Sequence, residues 1–253
     1  LLLLALFAGV LSGQVIDIGE ATRLGEGQLA VAVESRDPVL LKLVRRAFGL
    51  HGAYRVTGVE QSAFIFQIER ASAASVLLTI RSGQPSQELF RRTVPGRNLE
   101  NAALRAADLA VEATLHAPGF FAGKLAFVVK QQGIAEIFTA DLLFNRVRPL
   151  TADRSPVNSP SWSPDGTKLL YTTYHKTGFP DIYMLDLRHG HKQAIAAYKG
   201  TNFGGDFSPD GRRIAMALSG SGNAEIFVAD SNGKRPRRLT MNKSLEASPT
   251  WSP

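Results

Sequence analysis

The sequence predicts an α/β amino-terminal domain over residues 15–118, followed by an all-β propeller over residues 119–253. Two repeated elements predict the propeller, because both recur with a step of 45 and then 44 residues. Repeats of that length, built from short strands, are typical of the blades of a β-propeller. Neither element occurs in the first half, where helical patterns indicate a separate α/β domain. We expect about three four-stranded blades.

The first repeated element is an aromatic residue followed by Ser-Pro and, in two of its three copies, by Asp-Gly. Its aromatic residues are Trp162, Phe207 and Trp251. Proline presets φ, aspartate accepts hydrogen bonds from its own backbone and glycine adopts positive φ, so each block predicts a tight turn after a strand. Apolar runs at residues 168–174 and 212–218 follow these turns and suit strands that are covered on both faces.

The second repeated element is an acidic residue, an isoleucine and an aromatic residue, and it predicts the third strand of each blade. Its acidic residues are Glu136, Asp181 and Glu225. Residues 123–129 match the strand after the turn, but no aromatic-Ser-Pro block precedes them, and the third block ends at Pro253. We therefore expect a first blade without its first strand, and a sequence that is incomplete at both ends.

Residues 1–14 predict the remnant of an export signal. The first 11 residues are almost wholly apolar, and Ser12-Gly13-Gln14 then resembles a cleavage region. The apolar run is too short for a membrane span, so we expect a periplasmic protein with no stable span after cleavage. The chain contains no cysteine, which excludes disulfides and thiolate metal sites.

The elements of the α/β domain follow from hydrophobic periodicity. Strands are expected at residues 28–35, 63–69, 76–81 and 88–94. Asp37 and Pro38 predict the start of a first helix that Gly49 stops, and residues 98–116 predict a second, alanine-rich helix. Ala117-Pro118-Gly119 marks the domain boundary.

Positive charge is concentrated in the propeller. From residue 121 onward there are 17 lysines and arginines against 11 acids, and residues 234–238 form the densest basic cluster. Such a cluster can meet phosphates, lipopolysaccharide or an acidic protein, or can be a solvated hairpin. No aromatic residues alternate with the basic ones, so we expect no nucleic-acid partner.

The sequence contains no recognisable catalytic or ligand-binding motif. We therefore expect no catalytic residue, no cofactor and no metal, and hence no enzyme. The nearest string to a Gly-x-Ser-x-Gly elbow is Ser219-Gly220-Ser221-Gly222, which has serine where the first glycine must stand. His189 and His191 lie across a predicted turn without a third ligand.

The order of these parts resembles the TolB family, the periplasmic components of the Tol-Pal system. A cut export signal, a small α/β domain and Trp-Ser-Pro-Asp-Gly blades that open at residues 120–127 carry the resemblance. It implies a six-bladed propeller in the intact protein and a non-catalytic scaffold that links the lipoprotein Pal with the inner-membrane protein TolA. It also implies roles in outer-membrane integrity, protein transport and envelope constriction at cell division, with other envelope proteins as further partners.

The resemblance also implies two partner-binding sites. Loops that lead into each blade would rim the channel and bind Pal, and the amino-terminal strand would signal to TolA. The expected Pal-binding residues are Asn158, Ser159, Thr201, Asn202, Phe203, Gly204, Glu246 and Ala247. The expected TolA-signalling residues are Val15, Ile16, Asp17, Ile18 and Gly19.

Two other functions are compatible with the blade motif. One is the propeller gate of a prolyl-oligopeptidase-type serine peptidase whose catalytic domain lies beyond residue 253. The other is a periplasmic propeller that binds sugars or peptides without a Tol partner. The export signal and the separate α/β domain favour the scaffold over the peptidase.

Overall fold

The computed structural model describes residues 27–252 and divides the chain into two units between Gly123 and Lys124. The division lies beyond the predicted boundary at residue 118, because the linker is held by the first unit. Phe121 is buried there, with its ring 5.3 Å from that of Phe48, and its backbone N–H donates to Asp108 Oδ1 at 2.6 Å. The predicted fold class, an α/β domain followed by all-β propeller blades, is confirmed.

The first unit is a five-stranded mixed sheet with two helices that pack against it and against each other. Its strands are β1 (Leu29–Glu34), β2 (Tyr54–Val56), β3 (Phe64–Arg70), β4 (Ser75–Ser82) and β5 (Glu88–Pro95), and its helices are α1 (Pro38–Leu50) and α2 (Leu99–Leu115). The strand order is β2-β1-β3-β4-β5, with β1 parallel to both β2 and β3 and the other pairs antiparallel.

Helix α1 begins as predicted and ends differently. Asp37 caps its first turn, since Asp37 Oδ1 accepts hydrogen bonds from the N–H groups of Val39 at 2.9 Å and Leu40 at 3.3 Å. The prediction that Gly49 stops the helix is wrong, because the helix continues to Leu50. Phe48 is fully buried against neighbouring aromatic rings, and this packing keeps the last turn helical in spite of the glycine.

The second unit contains three antiparallel sheets, each formed by strands consecutive in the chain. The first has β6 (Lys124–Gln131), β7 (Ile134–Asp141) and β8 (Arg148–Pro149). The second has β9 (Val157–Trp162), β10 (Lys168–Thr173), β11 (Asp181–Asp186) and β12 (Lys192–Ala196). The third has β13 (Asn202–Phe207), β14 (Arg213–Leu218), β15 (Glu225–Asp230) and β16 (Arg237–Arg238).

The sheets of the second unit stack face to face, and strand β10 shows why. Leu169 and Leu170 are adjacent and fully buried, yet they belong to different cores because successive side chains of a strand point to opposite faces. Leu169 packs with Ile137 of the first sheet, and Leu170 packs with Ile214 of the third. Each buried leucine contributes about 1.5–3 kcal/mol relative to exposure, so the middle sheet is stabilised from both sides.

The connections between strands lie at two opposite edges of the stacked sheets. The turns between first and second strands and the hairpins between third and fourth strands lie at one edge, which we call the turn edge. Residues 174–180 and 219–224, together with the segments 197–201 and 239–247 that lead to the next first strand, lie at the other edge, which we call the mouth edge.

The Ser-Pro-Asp-Gly turns have the predicted chemistry. Ser163 Oγ donates to Asp165 Oδ1 at 2.6 Å, and the same carboxylate oxygen accepts the N–H of Thr167 at 3.0 Å. Gly166 adopts a φ of 65°, which a residue with a side chain rarely takes. The hydrogen bonds from Ser163 and Thr167 lower the pKa of Asp165 to about 2. An ionised aspartate therefore holds the turn closed.

The glycine of the hairpin between β15 and β16 is expected to tolerate no side chain. Gly233 has a φ of 81°, and a Cβ there would lie 2.4 Å from the carbonyl oxygen of Ile195 in β12. We expect Gly233→Ala to lower the free energy of unfolding by about 2–4 kcal/mol, since it combines backbone strain with a clash between sheets.

The matched control is Gly190→Ala in the preceding hairpin, where φ is 70° and nothing lies within 4 Å of the added carbon. This variant carries the backbone strain alone and is expected to lose about 1 kcal/mol. Urea denaturation of both variants measures the difference, and equal losses would contradict the sheet-to-sheet contact.

The depressed pKa of Asp165 predicts a specific loss of stability in acid. Because the folded-state value of about 2 lies below the ordinary value of 3.8, this group stabilises the fold above pH 3.8, and the contribution disappears as the pH falls to about 2. We expect Asp165→Asn to unfold with a weaker pH dependence between about pH 4 and pH 2. Urea titrations at each pH test this, with the exposed Glu60→Gln as control; an unchanged slope would refute it.

Candidate partner-binding site at the mouth edge

The structure places most of the expected Pal-binding residues on first strands rather than in loops. Asn158 and Ser159 lie in β9, and Asn202, Phe203 and Gly204 lie in β13, so the expectation of a loop is wrong for these five. Thr201 immediately precedes β13 and is exposed, and Glu246 and Ala247 lie in the mouth-edge segment 239–247.

A β-bulge explains why these strand residues have a loop-like composition. Ser159, Gly204 and Ser248 have φ values of 51°, 64° and 52°, in the left-handed region. The pairing of β9 with β10 shifts register between Leu170 and Thr172, opposite the first of these residues. The backbone N–H of Gly204 then donates to Thr172 Oγ1 of the neighbouring sheet at 3.1 Å. Small polar residues and glycine are what a bulged strand requires.

Asn202 holds two mouth-edge segments together. It is 1% exposed, and its Nδ2 donates to Asp181 Oδ1 at 3.1 Å and to the carbonyl oxygen of Tyr198 at 2.8 Å. Its Oδ1 accepts the N–H of Tyr198 at 3.1 Å, and its own N–H donates to the carbonyl oxygen of Pro180 at 3.0 Å. Both amide donors and the acceptor are satisfied, so Asn202 positions the edge instead of contacting a partner.

The acidic residue that begins the second repeated element also holds neighbouring segments together, as Asn202 does. Glu136 Oε1 accepts the N–H of Arg154 at 2.7 Å, and its Oε2 accepts the N–H of Asp153 at 3.1 Å. Glu225 Oε1 accepts the N–H of Asn242 at 3.1 Å. In each case a carboxylate near the start of β7 or β15 fixes the backbone of the segment that leads to the next sheet. The period is visible in the sequence, but its cause is visible only in these backbone contacts.

Successive first strands are joined through Asp206. Its Oδ1 accepts a hydrogen bond from Ser161 Oγ of β9 at 2.7 Å. Its Oδ2 accepts the Thr250 hydroxyl at 3.0 Å and the N–H of Trp251 at 3.1 Å, and the Trp251 indole donates to the Asp206 carbonyl oxygen at 3.1 Å. These charge-assisted bonds tie three consecutive repeats together at one level of the stack.

Five large apolar side chains project from the mouth edge, and the sequence alone did not indicate them. Phe179 is 66% exposed, Tyr198 45%, Leu239 50%, Met241 82% and Leu245 81%. Phe179 adjoins Pro180, and the Tyr198 backbone is bonded to Asn202, so the contacts of Asn202 described above place these two aromatic residues on neighbouring segments. The available signal was the presence of apolar residues inside polar, glycine-containing loops. A group of exposed apolar residues within a polar rim is typical of a protein-binding surface.

The described part of the chain offers this edge no metal chemistry. Within residues 27–252 no group of three or more His, Asp or Glu side chains is arranged to hold a metal ion. In the same range no helix has the length and apolar character needed to cross a membrane. The expected TolA-signalling residues, at positions 15–19, and the expected export signal lie outside the described residues.

Comparison with known proteins supports the same family as the sequence motifs. The family model described as the TolB beta propeller domain matches residues 112–253. The Tol-Pal system protein TolB of Anaeromyxobacter dehalogenans strain 2CP-1 is 32% identical over 175 residues, which are 69% of this chain and 40% of that protein. The Bordetella avium protein of the same name is 33% identical over 169 residues, 66% of this chain and 38% of its own length.

The chain therefore spans about 40% of the length of these curated relatives. Among solved structures, the TolB crystal structure from Acinetobacter baumannii covers 90% of this chain, and the chain covers 64% of it, with a TM-score of 0.78 and 22% identity. This likeness shows a common fold. Since the family model matches more than half of the chain, the membership predicted from the blade motifs is confirmed: the chain belongs to the TolB β-propeller family.

Proposed function

We propose that this chain is a non-catalytic, periplasmic protein-interaction scaffold of the Tol-Pal system. It binds the lipoprotein Pal at the mouth edge and contacts TolA through residues 15–19. In this role it links the two partners and supports outer-membrane integrity and envelope constriction at cell division. The names of the relatives, which are Tol-Pal system proteins, support the assignment to this system.

The observation that carries the proposal is the exposure of apolar side chains on mouth-edge segments that hydrogen bonds hold in place. Phe179 and Tyr198 are exposed, yet the segments that bear them are held by the hydrogen bonds of the buried Asn202. A surface that is already ordered loses little conformational entropy when a partner binds. Aromatic residues are also the type that most often dominates the binding energy of protein interfaces.

The expected Pal-binding residues differ in exposure, and Asn158, Ser159, Phe203 and Glu246 are half-buried. Thr201 and Ala247 are exposed and can contact Pal directly. Asn202 and Gly204 are buried and act on binding by holding the edge in shape. A bulky residue at Asn202 would therefore test stability more than binding, because Asp181 and Tyr198 would lose their partners at a cost of about 1–3 kcal/mol.

The Pal-binding prediction is tested by removing the exposed aromatic rings. We expect the double variant Phe179→Ser/Tyr198→Ser to raise the Kd for Pal at least about tenfold, since two central aromatic contacts are lost. Isothermal titration calorimetry measures the Kd. The matched control is Leu50→Ser, which removes an exposed apolar side chain from the first unit.

Thermal melting of both variants is expected to match that of the unchanged chain, because the replaced side chains are exposed. A double variant that binds Pal as tightly as the Leu50→Ser control would exclude the mouth edge as the Pal site.

The TolA prediction is tested by deleting residues 15–19. We expect this deletion to abolish capture of the chain by immobilised TolA while leaving the Kd for Pal within about twofold, because each partner has its own site. The Phe179→Ser/Tyr198→Ser variant is the reciprocal control and is expected to retain TolA capture. If the deleted chain is still captured in full, residues 15–19 are not the TolA contact.

A further inference from the structure

The turn edge, opposite the mouth edge, forms one continuous surface across neighbouring sheets. Its Asp-Gly turns touch, since a Cβ on Gly211 would lie 3.6 Å from Cδ of Pro164 in the preceding turn. Its outer hairpins also adjoin the preceding sheet, as the close approach of Gly233 to Ile195 shows. The segments of this edge are residues 142–147, 163–167, 187–191, 208–212 and 231–236.

The carboxylates of the turn edge are directed back into their own turns. Asp141 Oδ1 accepts the N–H groups of Leu143 and Asn145 at 3.0 and 2.9 Å. Asp186 Oδ1 accepts the N–H of Arg188 at 2.8 Å, and Asp210 Oδ1 accepts the N–H of Arg212 at 3.0 Å. Asp165 follows the same pattern, as described above. These acids accept hydrogen bonds from backbone groups of their own turns, which fixes the turns while the carboxylates stay ionised.

The basic side chains of the same edge are directed outwards. Arg188, Arg212 and Lys234 are exposed, and so are Arg148 and Arg237 at the adjoining starts of β8 and β16. Arg235 is 83% exposed even though its Nε donates to Asp230 Oδ2 at 2.7 Å. Five of the 17 basic residues from residue 121 onward lie within the segments of this edge, and each of the three sheets contributes at least one arginine or lysine.

One hairpin of the turn edge also exposes apolar side chains beside its basic residues. Phe144 is 55% exposed and Val147 is 50% exposed, and Arg146 and Arg148 lie in the same stretch. Basic residues beside an exposed aromatic ring are the combination that binds an anionic membrane surface, where the cations meet phosphates and the ring sits among the headgroups.

We propose that the turn edge is a docking surface for an anionic lipid bilayer and that it binds phosphate-bearing headgroups through its exposed arginines and lysines. The proposal concerns the edge opposite the candidate Pal site, so it is independent of the proposed function. It leaves the mouth edge free to hold a protein partner while the turn edge lies on a membrane.

The test is co-sedimentation of the full chain with vesicles of phosphatidylcholine alone or mixed with phosphatidylglycerol. We expect binding to the anionic vesicles at about 0.05 M salt and a loss of at least tenfold at about 0.5 M, since salt screens exposed charges. The variant Arg188→Glu/Lys234→Glu, with changes on two neighbouring sheets, is expected to bind at least about tenfold more weakly at low salt.

The matched control is Lys199→Glu/Lys243→Glu, which makes the same change of net charge with exposed mouth-edge residues. It is expected to bind anionic vesicles within about twofold of the unchanged chain, because its charges lie away from the turn edge. Phe144→Ser is a second test variant, and we expect it to weaken binding about threefold without changing the salt dependence. Any contribution from the apolar residues 1–11 is common to all variants and cancels in the comparison.

Three results would overturn the proposal. Equal binding to neutral and anionic vesicles would show that headgroup charge is not recognised. Equal losses of vesicle binding in Arg188→Glu/Lys234→Glu and in Lys199→Glu/Lys243→Glu would show that net charge, and not the turn edge, determines binding. Displacement from vesicles by about 10 mM inorganic phosphate, at constant ionic strength, would indicate a discrete anion site in place of a bilayer surface.

Discussion

The burial of the middle sheet on both faces is the constraint on which the rest of the propeller unit depends. Leu169 and Leu170 stand side by side in β10 and enter different cores, so their strand requires a neighbouring sheet on each side. Stacking alone leaves sheets free to slide, because apolar contacts have little directionality. Directional hydrogen bonds to carboxylates fix the position of one repeat relative to the next. Glu136, Glu225 and Asp206 each accept such bonds from polar groups of the following repeat.

The sequence predicts those features that depend on hydrogen bonds between residues close together in the chain. The turn around Asp165 was predictable because its bonds run between residues only a few positions apart. The cap at Asp37 was predictable for the same reason. Strand β2 was not predicted, because its three residues become a strand only by pairing with β1. Likewise, Gly49 stays helical because distant aromatic rings hold the helix around it.

The residues expected to bind Pal show where local composition misleads about local structure. The expected residues lie at or beside the mouth edge, but composition predicts a loop at Ser159 and Gly204 because a bulged strand and a loop use the same small residues. A bulge is defined by its partner strand, which composition does not reveal. The exposed Phe179 and Tyr198 were overlooked because single apolar residues in loops are common, and only the structure shows that Asn202 brings their segments together.

The two mouth-edge loops that join second and third strands differ in length, since residues 174–180 and 219–224 occupy equivalent places. This difference accounts for the change of the repeat step from 45 to 44 residues, while the bulges and the acidic caps on either side keep their places. Gains and losses of residues are thus absorbed where the chain meets its candidate partner and leave the stacked sheets undisturbed. Evolution can reshape recognition at this rim one residue at a time without redesigning the scaffold beneath it.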